Sequence, residues 1–132
     1  MKLPPAITIH GLEMAQQALA PGLPVTLISG RAAATYAGCG WWRAVITASR
    51  HAGPDILDCG DAAGRALEAL RAGCKLLVLD GSLPAFPRVA ARAGLHGAVL
   101  LPARPPSLDL ADRGAIRRLE AWLMRDTPAR IG

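Results

Sequence analysis

The sequence predicts a single α/β domain built on a parallel sheet, and three observations carry that expectation. Short apolar runs alternate from end to end with segments of helical periodicity, joined by brief connections, the pattern of successive βα units. Four of the five expected strands end in a polar residue or cysteine followed by glycine: ITIHG to Gly11, VTLISG to Gly30, DILDCG to Gly60 and KLLVLDG to Gly81. The run Leu76-Leu77-Val78-Leu79 is apolar without alternation, which implies cover on both faces and a central place in a parallel sheet.

The elements follow in order. Residues 6–10 form the first strand, with Ile7 and Ile9 alternating against Thr8 and His10, and Leu12 to Ala20 a short helix stopped by Pro21-Gly22, the usual helix-ending punctuation. Val25 to Ser29 is the second strand. Arg31 to Ala52 is the longest and least regular segment, because Gly38-Cys39-Gly40 interrupts it, and each glycine costs roughly 1 kcal/mol in a helix interior. Either one helix bends there, or a short leading turn meets a true helix. Asp55 to Cys59 is the third strand; Asp61 is placed to cap a helix whose apolar face is Ala63, Ala66, Leu67 and Leu70. Cys74 to Asp80 is the fourth strand, followed by a helix regular from about Pro87 to Ala93. Ala98 to Leu101 is the fifth strand, running into PARPPS. A closing helix from Ala111 to Met124 directs Ile116, Leu119 and Leu123 inward, and residues 127–132 form a loose tail.

Composition sets the bounds. A chain of 132 residues fits one domain, 1–132, able to bury roughly two-thirds of its unfolded surface. With 52% hydrophobic and 19% charged residues it has the apolar surface to offset ordering entropy. No apolar run reaches the ~18–20 residues of a bilayer span, and the amino terminus lacks a signal-peptide core, so a soluble cytoplasmic protein is expected. The net charge of +5 comes from arginines dispersed along the chain, and aromatics make up only 4%, a poor match to the clustered bases and stacking platforms of nucleic-acid binders. Cys39, Cys59 and Cys74 are odd in number and lack CxxC spacing, so free thiols and no metal site are expected.

The carboxyl ends of parallel strands open onto one edge of the sheet, where such folds bind ligands. The strand-end pattern therefore gathers His10, Ser29, Gly30, Arg31, Asp58, Cys59, Asp61 and Asp80 towards one rim, with Arg104 following the fifth strand. Asp80 either binds a ligand or acts as a base, or caps the next turn. Asp58 and Asp61 bracket Cys59-Gly60 and are either a paired-carboxylate site or, for Asp61, a helix cap. His10 and Cys59 would be a base and nucleophile if their strands are neighbours. Ser29-Gly30-Arg31 combines a hydroxyl, free backbone and a guanidinium at a helix start, an anion-binding combination. Gly60 to Arg65 matches neither phosphate-loop pattern, and no motif names a cofactor. Trp41-Trp42 stands out in a chain poor in aromatics: one ring enters the core, and the other packs within the monomer or at a homodimer interface.

These elements form a three-layer sandwich of about five parallel strands, flavodoxin-like or Rossmann-like, with a strand order the sequence does not give. The layout resembles response-regulator receivers, with Asp58 where that family's phospho-accepting aspartate lies. That family's acidic pair after the first strand is replaced here by His10-Gly11-Leu12-Glu13, and no lysine ends the fifth strand. LEALRAGCKLLVLDG is similar in cadence to barrel aldolases and phosphosugar enzymes over about one βα unit. The functional expectation is binding of a small anionic metabolite at the rim, with acid–base chemistry by His10 or Asp80 if the protein is an enzyme. The alternative is a non-enzymatic interaction or regulatory module.

Overall fold

The computed structural model describes residues 2–125 and the backbone of 129–130. Its elements are β1 (Lys2–Leu3), β2 (Ala6–Thr8), α1 (Leu12–Leu19), β3 (Thr26–Ile28), α2 (Ala33–Tyr36), α3 (Cys39–Ser49), β4 (Asp55–Asp58), α4 (Ala63–Arg71), β5 (Leu76–Val78), α5 (Phe86–Leu95), β6 (Val99–Leu101), β7 (Ser107–Asp109), α6 (Ala115–Leu123) and β8 (Ala129–Arg130). The expected α/β domain with an all-parallel sheet flanked by helices is present, and the sheet has six strands rather than about five, in the order β6-β5-β4-β3-β2-β7. The additional strand, β7, pairs in parallel with β2, Thr8 opposite Asp109.

From β2 to β6 every strand is laid beside its predecessor on the same side. Repeating one crossover hand in one direction puts every helix on the same face. The large core accordingly joins Ile7, Leu27, Leu57, Leu77, Leu100 and Leu108 from one side of each strand to the buried residues of all six helices. The opposite side carries a small core of its own, Leu3, Ala6, Ile28, Ile56, Val78 and Leu101.

Residues 102–106 cross that second face, with Pro105 buried. They join β6 at one edge of the sheet to β7 at the other. An extended chain from Leu101 to Ser107 reaches roughly 20 Å, whereas five strand spacings would set the edges of a flat sheet about 24 Å apart. The sheet therefore curls, its concave side residues bury one another, and Pro105 is buried with them. The third layer is thus this linker and the short strand β1, which leads into Pro4, whose carbonyl accepts the Thr26 hydroxyl at 2.9 Å.

Local departures from the sequence reading have physical causes. Residues 31–52 resolve into a turn of helix, α2, and a true helix, α3, with Gly38 (φ 89°) between them. Asp61 does not cap α4; Ala62 stands there and no side chain bonds the helix start. In α6 the inward position belongs to Ala115, while Ile116 is 51% exposed: the helix begins four residues later than expected, after Gly114. The expected tail lies largely outside the described residues, but Ala129 and Arg130 pair antiparallel with Leu3 and Lys2. Trp42 is fully buried, its Nε1–H donating to Asp55 Oδ1 at 3.0 Å, and Trp41 packs half-buried on the same core. Of the expected interface pair, only Trp41 reaches the surface. No helix among the described residues is long and apolar enough to cross a membrane.

Candidate functional site at the strand carboxyl rim

Arg104 organises the rim. From the linker it reaches back over the sheet, where Nη1 donates to Asp58 Oδ2 at 2.8 Å and to the Ser29 carbonyl at 2.9 Å, and Nη2 donates to Thr8 Oγ1 at 2.9 Å. A guanidinium only donates, so the Thr8 hydroxyl accepts from it, and Thr8 Oγ1 also shares a hydrogen bond with Ser107 Oγ, 2.8 Å away. One side chain thereby ties β2, β3 and β4 to the linker, and through Thr8 reaches β7. Asp58 is filled on its other oxygen by the backbone N–H groups of Gly60 (2.7 Å) and Ala32 (3.1 Å). The buried Ser29 hydroxyl accepts the Asp58 N–H at 2.9 Å and donates to the Gly30 carbonyl. Asp58, Ser29 and most of the Arg104 head are therefore committed to the fold.

Beside this hub lies a cavity of about 370 Å³ between the ends of β3, β4, β5 and β6, lined by Arg31, Asp58, Gly60, Asp61, Asp80 and Arg104 among others. Its size suits a small ligand. Arg104 and Asp58 cancel one another, which leaves the exposed Arg31, Asp61 and Asp80 as the remaining charges of the lining. Asp80 Oδ1 accepts both the N–H and the hydroxyl of Ser82, at 2.9 and 2.8 Å. These two bonds, the backbone one first, hold its carboxyl below the usual range, so it remains a carboxylate and keeps Oδ2 for other partners.

A second group stands further along the rim, at the ends of the adjacent strands β2 and β7. His10 Nε2 lies 2.9 and 3.1 Å from the two oxygens of Asp109. A carboxylate oxygen accepting this bond requires the hydrogen on Nε2, the tautomer in which Nδ1 is the acceptor of the ring. Asp109 Oδ1 is itself fixed by the Ala111 N–H at 2.9 Å. The other side of the ring closes on Gly30, where an added Cβ would lie 3.0 Å from His10 Nδ1 and 2.8 Å from the Tyr36 hydroxyl. A side chain at this position would have to displace the His10 ring and the Tyr36 hydroxyl, which converge on its backbone.

The rim therefore holds His10, Gly30, Arg31, Asp58, Asp80 and Arg104 as expected from the strand ends, but in two groups. Cys59 is not among them. It is fully buried in the helix-side core, 3.9 Å from the Leu57 carbonyl, and burial above all pushes its thiol up to about 12. Strand parity is the reason: Asp58 faces the concave side, so its neighbour faces the helices. The residues missed by the sequence reading are Asp109, Tyr36 and Thr8. The only signal for Asp109 was the brief alternation Ser107-Leu108-Asp109-Leu110. Among the described residues no three His, Cys, Asp or Glu side chains are grouped to hold a metal ion. A larger groove of about 450 Å³ between α1 and α6, lined by Gln17, Ile116, Arg117, Leu119 and Glu120 among others, lies away from the strand ends.

Comparison with protein-family models, curated proteins and solved structures finds no match for this chain.

Proposed function

We propose that the protein binds a small metabolite at the strand carboxyl rim, one carrying an anionic group together with hydroxyl or ammonium donors. The observation that supports this reading is the presence of Arg31, Asp61 and Asp80 together in the lining of a ligand-sized cavity. A simple anion would meet two carboxylates for one free guanidinium. A hydroxylated or zwitterionic one satisfies both signs, its anionic group on Arg31 and its donors on Asp61 and Asp80. Asp80, held ionised by Ser82, is an anchor in this reading and not a proton donor. If the ligand is transformed, His10 is the group for proton transfer, with Nδ1 available and Asp109 setting its orientation. The free thiols Cys39, Cys59 and Cys74 fit a reducing compartment, and we place the protein in the cytoplasm.

Thermal unfolding against a panel of hydroxy acids, amino acids, sugar phosphates and nucleotides tests the reading. A ligand at ~100 times its dissociation constant adds ~2.7 kcal/mol, several degrees for a domain of this size. The expected result is a shift from at least one hydroxylated or amino-bearing anion that disappears in Asp80→Ala and Arg31→Ala. A flat response across the panel, or a shift indifferent to both substitutions, would overturn it.

A further inference from the structure

At the opposite end of the sheet, where α4 and α5 finish, Arg71, Arg92 and His96 line a cavity of about 250 Å³ floored by Leu67 and Leu70. Arg71 and Arg92 each occupy the last turn of their helix, where a cation favourably meets the helix dipole. That accounts for one arginine per helix. It does not account for both converging on a single cavity with a histidine and with no carboxylate in its lining. Glu68 stands one turn before Arg71 and would be its natural partner, yet Arg65 takes it, at 3.3 Å. Neither Arg71 nor Arg92 has a side-chain acceptor among the described residues. Lys75 adds a further cation at the margin, its Nζ donating to the His96 carbonyl at 2.7 Å.

From this we infer a second binding site, for the phosphate group of a small phosphomonoester, formed by Arg71, Arg92 and His96. Two guanidinium forks present paired donors matched to a tetrahedral oxyanion, and an anion between them removes their mutual repulsion. Buried Leu70 and half-buried Leu67 give the cavity an apolar floor for the organic part of the ester. The site is separate from the rim and independent of the ligand proposed there.

Titration with phenyl phosphate and with inorganic phosphate, followed by ¹H–¹⁵N NMR including the arginine Nε–H signals, tests the inference. Phenyl phosphate is expected to bind more tightly than inorganic phosphate and to shift Arg71, Arg92 and His96. In the double variant Arg71→Gln/Arg92→Gln, whose positions are exposed and whose folding is checked by circular dichroism, affinity falls at least tenfold. In Arg31→Ala it is unchanged. Equal binding of the two probes would mean that free phosphate rather than an ester is recognised, and would overturn the assignment to an ester. No shift with either probe at 100-fold excess, or a loss of binding in Arg31→Ala with retention in the double variant, would overturn the site itself.

Discussion

Arg104 and Asp58 form a buried ion pair, Nη1 to Oδ2 at 2.8 Å, with side chains 11% and 4% exposed. The pair joins the linker on the concave face to the end of a central strand. Asp58 loses only one of its three partners if the guanidinium is removed, because the Gly60 and Ala32 N–H groups remain. Breaking a buried pair from one side costs ~3–5 kcal/mol, and Arg104→Met is expected near the lower figure, about 3 kcal/mol. Arg104→Lys keeps the charge but not the fork that serves Ser29, Thr8 and Asp58 together, so it falls between. Urea denaturation measures both. A midpoint for Arg104→Met within experimental error of the parent would show that the linker is held by other means.

Gly60 and Ala32 oppose one another in the loops beyond β4 and β3. Both backbones are left-handed, at φ 59° and 56°, a conformation that costs a non-glycine residue roughly 1–2 kcal/mol. A Cβ at Gly60 would lie 2.9 Å from the Cβ of Ala32. Gly60→Ala is therefore expected to destabilise by more than the backbone term alone, about 2–3 kcal/mol. Ala32→Gly should stabilise by roughly 1 kcal/mol. In the double variant the clash is gone, so Gly60→Ala should cost less in the Ala32→Gly background. Strictly additive effects would mean that the two loops move apart freely.

The strand ends were legible because glycine after a polar residue marks a chain turning out of a sheet, and that alone brought Arg31, Asp58 and Asp80 to one rim. Parity would have separated Asp58 from Cys59, since adjacent residues of a strand face opposite sides. The sixth strand was not legible. Three residues between Pro106 and a turn carry too little pattern, and their pairing with β2 depends on a link across the concave face that no local propensity encodes. Without β7 there was no Asp109 beside His10, and so no orienting partner. The curl of the sheet was hidden for the same reason, and with it the role of Arg104 in holding the fold.

The three thiols should react in a fixed order. Cys39 is partly exposed, whereas Cys59 and Cys74 are buried, and burial above all pushes their thiols up to about 12 and about 11. The thiolate is the reactive form, so at pH 8 the native protein is expected to release close to one equivalent of thionitrobenzoate from Ellman's reagent, abolished by Cys39→Ser. In urea all three react. Rapid labelling of a second thiol in the native state would indicate that α3 or the end of α4 opens locally.

Trp42 donates its indole N–H to Asp55, and the partnership predicts a pH dependence of stability. Burial raises the Asp55 pKa above 3.8, opposed first by the Trp42 hydrogen bond and then by His51 and Arg43. Because the folded pKa is the higher one, the native state holds the proton more tightly than the unfolded chain. Stability from this group is present below pH 3.8 and is lost as pH rises through the folded pKa. Asp55→Asn keeps an acceptor for the indole and carries no charge, so it should raise the melting temperature at pH 7 and have less effect near pH 3. Trp42→Phe removes the largest lowering influence on Asp55, which would then titrate higher still. Trp42→Ala empties a fully buried site and is expected to cost about 3–5 kcal/mol. The decisive comparison is the melting temperature of parent and Asp55→Asn between pH 3 and 7: curves that converge at low pH support the linkage, and parallel curves refute it.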